Sequence, residues 1–363
     1  MGNIRVGALL GVLALALGVL AASATAKQAP AKKKLVIGFV THVKGNPFVQ
    51  QIIDGAQAAG QDLGVTIKVA GPAGFDPDAQ LKNIQDLFAA GASGVATSIP
   101  GESMVKALNQ YIEQGKPIVQ FNLLSRNLHA PYVGERATNS GRILGGLIAA
   151  KLGGKRASGK VLVGICAPGF PVLEERAKGV KQGLAAAPKL SAKGPFDVKV
   201  AANENYAHWE SLYAANQDTK AMIGLCAPDV ASIGKLNKKI GDRVLGGGYD
   251  TTAENLAAIK GGHAYVTLGQ NPFVQGYLPV RMIYDALTKH VKLKQGFVES
   301  GTEIVDAGGA TEPYNLGHIS FARVQQLATS KSATRAFYSR LFRKGGPLYR
   351  WQQAVEPVAN EGK

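Results

Sequence analysis

The stretch LVIGFVTHVKGNPFVQQIIDGAQAAGQDLGVTIKVA, Leu35–Ala70, decides the fold class. Its first seven residues, Leu35–Thr41, form a nearly unbroken apolar run, as does Val65–Ala70 at its end. Between them Val49, Ile52, Ile53, Ala56, Ala59 and Leu63 recur at helical spacing and predict a helix over 47–63 with one buried face. Strands that are apolar throughout, rather than alternating, belong to parallel sheets covered by helices on both faces. Leu35–Ala70 therefore reads as a βαβ unit.

Outward from this unit the same rhythm continues. Strands are expected at Gly94–Ile99, Pro117–Phe121, Lys160–Cys166, Phe196–Ala201, Ala221–Cys226, Arg243–Gly248 and Ala264–Leu268. Helices are expected at Asp76–Ala90, Glu102–Gln114, Ser140–Leu152, Val172–Ala187 and Pro272–Lys289, among others. The rhythm pauses once, where the extended piece APYVGE feeds the helix NSGRILGGLIAAKL. This implies two α/β domains, with the chain crossing near Glu135 and returning after Gln270, each built on a doubly wound sheet of five or six strands. In such sheets ligands bind beyond the carboxyl ends of the strands, so the expected site is the cleft between the domains. NPFVQ occurs twice, at 46–50 and 271–275, each time directly after a strand. Asn caps a following helix and Pro fits its first turn. Asn46 and Phe48 lie at a strand's carboxyl end and are expected to face the cleft; His42 and Phe170, in turns that come after strands, join them.

The 363 residues are 46% hydrophobic and 18% charged, which excludes disordered, collagenous and disulfide-scaffold classes. A net charge of +16 suggests nucleic acid for a cytoplasmic protein. The N-terminus argues for a different compartment: Arg5, an apolar run from Val6 to Leu20 and the small residues AASATA have the layout of a secretory signal, with cleavage expected after Ala26. The expected location is the periplasm, with no nucleic-acid partner. The basic excess is concentrated late, between Phe321 and Val355, where no Asp or Glu occurs. It is read as a basic extension, either a surface helix or a segment that touches acidic lipid or a membrane partner.

Catalytic and metal signatures are missing. The six histidines form no HExxH or Cys/His ligand spacing. GKRASGK at 154–160 precedes a strand, whereas a phosphate loop comes after one. GGGYD at 246–250 has Thr251 where a dinucleotide fingerprint needs glycine. No enzyme, cofactor or metal is expected. Cys166 and Cys226 end two strands expected side by side, and a disulfide and two buried thiols both remain open.

IGFVTHVKGNPFVQQIIDGAQAAGQDLG, YVGERATNSGRILGGLIAAKL, VLGGGYDTT and LGQNPFVQGYLPVRMIYDAL resemble, in order and spacing, the periplasmic sugar-binding proteins of the ribose-binding type, from about Leu35 to Val305. The resemblance implies a type I periplasmic binding fold: two doubly wound parallel-sheet lobes joined by a three-stranded hinge. The implied divisions are a signal peptide at 1–26, an N-terminal lobe at 34–136 plus 271–300, a C-terminal lobe at 137–270 plus 301–330, and the basic extension at 331–363. It implies a hydrogen-bonding amide at Asn46, a stacking ring at Phe48, an acceptor carboxylate at Asp250 and a hinge-side amide at Gln270. A carboxylate takes two hydroxyl donors, and an aromatic face covers a sugar's C–H surface. Three positions depart from the family. Its usual Asp-Arg pair is Asn122-Leu123, its second-lobe arginine is Glu174 with Arg176 nearby, and its second-lobe amide becomes Pro228-Asp229. Tyr206 or Trp209 is a further candidate aromatic. These departures leave cyclitols, amino sugars and furanose-like ligands open beside aldopyranoses.

The implied function is capture of a small sugar or sugar-like molecule between the lobes and its delivery, by a monomeric receptor, to the permease of an ABC importer. A ligand-presenting adaptor for a chemoreceptor or sensor kinase shares the same lobes. An exported α/β enzyme is the third reading and an exported DNA-binding protein the last.

Overall fold

The computed structural model describes residues 34–311, 314 and 317–357; the expected signal sequence lies outside them. The chain begins with β1 (Val36–Val40), α1 (Pro47–Leu63), β2 (Thr66–Ala70), α2 (Pro77–Ala89), β3 (Gly94–Thr97), α3 (Val105–Glu113), β4 (Ile118–Phe121) and β5 (Pro131–Gly134). Asn46 starts α1 as read: its Oδ1 accepts from the amides of Phe48 and Val49, Pro47 fills the first turn, and Gly64 ends the helix in left-handed backbone. These strands pair in parallel in the order β2-β1-β3-β4-β5.

After β5 the chain passes Glu135 and Arg136 and builds a second sheet. It runs through α4 (Ala137–Lys151), β6 (Ser158–Ile165), α5 (Pro171–Leu184), β7 (Lys189–Asp197), α6 (Ala202–Ala214), β8 (Thr219–Gly224), α7 (Asp229–Ile240), β9 (Leu245–Tyr249), α8 (Ala253–Lys260) and β10 (Val266–Gly269). The order β7-β6-β8-β9-β10 repeats that of the first sheet, again in parallel. The chain then returns through Gln270 and Asn271 to α9 (Pro272–Lys289) and β11 (Gly296–Glu299), which pairs with β5. A third passage at 300–302 leads to β12 (Glu303–Asp306), β13 (Gly309–Thr311) and β14 (His318–Ile319). The molecule is thus a two-lobed α/β protein with three short connections side by side, the fold class the sequence implied. Among the described residues no helix is long and apolar enough to cross a membrane.

Three details correct the sequence reading. The second sheet has eight strands, because β12, β13 and β14 extend it antiparallel beyond β10. The strand expected at 196–201 ends at Asp197 and begins seven residues earlier than read; Lys199 is left-handed (φ 66°) and its amide bonds the Asp197 carboxylate, closing a turn. β7 is an edge strand of alternating exposure, which hides its first half from a search for continuous apolar runs. Thirdly, the second NPFVQ does not repeat the first. Asn271 is left-handed (φ 49°) and its amide donates to the Ser300 carbonyl in the neighbouring connection, leaving α9 without a side-chain cap.

The C-terminal segment folds back on the molecule. α10 (Phe321–Thr329) leads directly into α11 (Lys331–Tyr338) and two short 3-10 turns, Ser339–Phe342 and Trp351–Ala354. Phe337, Tyr338, Leu341, Phe342, Leu348 and Trp351 are buried against α1 and α9. Each such aliphatic or phenyl side chain contributes roughly 1.5–3 kcal/mol. Lys331 and Arg335 pair with Asp54 and Asp62 of α1, so two of the basic residues have defined partners rather than lying on a solvated tail.

Candidate functional site

Both sheets reverse their winding direction once, between β1 and β3 in the first and between β6 and β8 in the second. The turns leaving these strands meet at a cavity of about 100 Å3 between the lobes. His42, Asn46, Phe48, Phe75 and Asn122 line it from the first lobe, and Cys166, Phe170, Arg176, Cys226 and Asp250 from the second. Gln270 joins them from the middle connection. A larger groove of about 520 Å3 lies along the flank of α1 that carries Gln50 and Asp54, against α11, away from the strand ends.

Asp250 comes after β9 in left-handed backbone (φ 71°), held there by Asn255, whose side chain donates to the Tyr249 and Asp250 carbonyls. Asn122, after β4, is left-handed as well (φ 59°). Such conformations cost of order 1–3 kcal/mol in non-glycine residues and concentrate at functional sites. The two are joined through an amide chain. Gln270 Nε2 donates to Asp250 Oδ1 at 2.7 Å, and Asn122 Nδ2 donates to Gln270 Oε1 at 3.3 Å and to Gln275 Oε1 at 3.1 Å. One network thus runs from the first lobe through the hinge to the second. Burial raises the Asp250 carboxyl to about 6, against the opposing pull of Arg176 and the Gln270 bond.

Arg176 projects from α5 and is spent on structure. It pairs with the buried Glu135 of the first connection, donates to the Leu225 carbonyl at 2.7 Å and lies 3.9 Å from the Tyr249 ring centroid. Burial disfavours its charge, but Glu135, Tyr249 and Asp250 outweigh this and hold the guanidinium above its usual range. His42, fully desolvated, is pushed down to about 4 and is neutral at pH 7; its Nδ1 lies 3.2 Å from the Ser98 hydroxyl. Its ring stacks on Phe75 (centroids 5.4 Å apart, planes 8° apart), and Phe75 meets Phe170 of the other lobe at 4.8 Å. This aromatic ladder crosses the cleft.

Cys166 and Cys226 form a disulfide with Cα atoms 6.1 Å apart. β6 and β8 are parallel neighbours, a poor setting for a bridge inside the ladder, but both cysteines lie beyond the strand ends where the register no longer applies.

The cavity gathers His42, Asn46, Phe48, Asn122, Phe170, Asp250 and Gln270 of the candidates, and it leaves out two. Glu174 is exposed, with Oε1 accepting from the Gly169 amide. Asp229 is fully buried behind Pro228, accepting from Asn205, Trp209 and the Cys226 amide; it anchors the start of α7, and burial raises it to about 6. Trp209, which bonds it, is core, and Tyr206 bonds Glu210 instead. Phe75 and the disulfide were not singled out as lining residues by the sequence, and Arg176 was noted only as near the family's arginine position. Phe75 stands in a loop after a half-exposed strand, where no periodicity marks it.

The sequence profile of the periplasmic binding protein domain matches residues 37–290. The xylose/arabinose-binding protein XylF of Sulfolobus acidocaldarius is 23% identical over 313 residues, covering 80% of this chain and 75% of its own. The ribose import binding protein RbsB of Haemophilus influenzae is 28% identical over 276 residues, covering 74% and 90%. A solute-binding protein of Burkholderia graminis, solved with D-arabinose, superposes with a TM-score of 0.71 at 19% identity, over 77% of this chain and 97% of its own. With two lobes, strand ends converging on one cavity and a profile that spans most of its length, the chain belongs to the periplasmic binding protein family.

Proposed function

We propose that the protein is an extracytoplasmic receptor that captures a small polyhydroxylated solute, a pentose foremost, and hands it to the permease of an ABC importer. The observation that carries this reading is the Asn122–Gln270–Asp250 network, in which both lobes and the hinge present hydrogen-bonding groups to one small cavity. Asp250 has a second oxygen for a hydroxyl donor, and Asn46, its Oδ1 occupied as a cap, keeps its amide hydrogens to give. Phe48 and the ladder rings cover apolar C–H faces. The pentose preference is taken from the relatives, whose names carry xylose, arabinose and ribose. A solute touching both lobes is bound only when they are together, so it shifts an opening equilibrium; moving that from mostly open to mostly closed takes about 5.5 kcal/mol of differential affinity. The role is binding without turnover.

Titration calorimetry with D-xylose, L-arabinose, D-arabinose and D-ribose tests the reading, and at least one is expected to bind. Asp250→Ala should weaken that sugar by about 2 kcal/mol or more, as loss of a charged hydrogen-bond acceptor does. If no pentose, hexose, cyclitol or amino sugar binds, or if the bound sugar is consumed, the reading falls.

A further inference from the structure

We propose that residues 321–357 form a fourth link between the lobes, limiting how far they part and so setting ligand affinity; the affinity half rests on the receptor reading above. The family profile ends at residue 290, before this segment begins. α10 starts on the second lobe, where Phe321 packs against Val230, Ala258 and Ile259 of α7 and α8 directly after β14, while Val324, Leu327 and Ala328 join the cluster that also holds α1, α9 and α11. From α11 onward the chain packs chiefly on the first lobe. Lys331 and Arg335 pair with Asp54 and Asp62 of α1, the Phe342 ring stacks on Tyr277 of α9 with centroids 4.0 Å apart, and Trp351 Nε1 donates to Asp285 at 2.9 Å. Glu356 then bridges to Phe297 of β11.

The joint between the two halves has no slack. Ser330 ends α10 and at the same time caps α11, its hydroxyl accepting from the Ala333 amide, so no loop residue separates the helices. Beside the joint Tyr338 donates to Glu303 Oε1 at 2.6 Å, at the first residue of β12 where the third connection enters the second lobe. The three connections at 135–136, 270–271 and 300–302 are short non-helical segments, able to absorb a lobe rotation in a few backbone torsions. The C-terminal link is a packed helical corner. Rotation must bend it or strip one helix from its lobe, and either loss opposes opening. A receptor held near closure spends less binding energy on closing, because apparent affinity scales with the fraction already competent to bind.

The experiment inserts an eight-residue Gly/Ser linker between Ser330 and Lys331, leaving each helix seated on its own lobe. Spin labels at Lys106→Cys on α3 and Lys260→Cys on α8, both exposed and in different lobes, report the interlobe distance of the ligand-free protein. The insertion is expected to lengthen and broaden that distance distribution and to weaken sugar binding about fivefold or more. Tyr338→Phe keeps the ring and removes the hydroxyl that reaches Glu303; it should shift the distribution the same way by less, and it guards against an insertion that merely unfolds α11. If both variants give the parental distribution, the proposal is overturned. If the distribution widens while no sugar binds either protein, the link stands and the receptor reading fails separately.

Discussion

Asp250 concentrates the site's chemistry in one carboxyl group. Its ordinary range is near 3.8, and burial lifts it to about 6, with Arg176 and Gln270 pulling the other way and Glu135 adding to the rise. A solute whose hydroxyls donate to this group favours its charged form. Proton and solute therefore compete: binding approaches its full strength well above pH 6 and weakens as pH falls through that value. Affinity measured calorimetrically should drop about tenfold between pH 7 and pH 5, and Asp250→Asn should flatten the profile. His42 does not contribute over this interval, since it charges only near pH 4. A profile unchanged by Asp250→Asn would move the titrating group elsewhere. The resemblance implied Asp250 through its strand-ending G-[FY]-D turn, and the structure puts that residue at the cavity. Asp229 was implied the same way, at the family's second-lobe amide position, and only the buried Asn205 and Trp209 donors reveal that its oxygens are already taken.

Among the elements, α1 and α9 pack closely against each other, and glycine makes the approach feasible. A Cβ at Gly276 would stand 1.8 Å from the Ile52 carbonyl oxygen, and one at Gly55 2.2 Å from that of Phe273. Both neighbours are backbone and cannot swing aside. Gly276→Ala should therefore destabilise the protein by about 1–3 kcal/mol, the usual cost of overpacking, read as a lower denaturant midpoint. Gly146 in α4 meets nothing within 4 Å, so Gly146→Ala should leave the midpoint unchanged or raise it by up to about 1 kcal/mol. Equal effects at the two sites would mean that close approach is not what Gly276 serves. α1 was readable to its last residue because cap, proline, apolar stripe and terminal glycine agree. α6 and α10 lacked such agreement, and β12, β13 and β14, two to four residues each, are too short to show a period.

For the whole molecule, the alternation of strands and helices in two doubly wound halves was legible, whereas the strand order and what joins distant parts were not. The disulfide closes a loop of 60 residues at the point where the second sheet reverses. In the chain-entropy account a loop of that size is worth about 4 kcal/mol. The double variant Cys166→Ala, Cys226→Ala should show up to this loss in denaturant unfolding, and an unchanged midpoint would mean that the reduced chain gives up nothing on losing the bridge. Sequence spacing alone left this pairing undecided, since only the exit geometry beyond both strands determines it. The path of the basic segment was likewise hidden: its aromatic residues show that something is buried, and not against what. The ladder of His42, Phe75 and Phe170 biases the lobes toward each other. Phe75 is 41% exposed even with the rings in contact, and parting the lobes would wet still more of it and of Phe170. Water thus favours the shut form before any solute arrives, as for any apolar surface withdrawn from it, and the doorway is sprung by the solvent as well as by the guest.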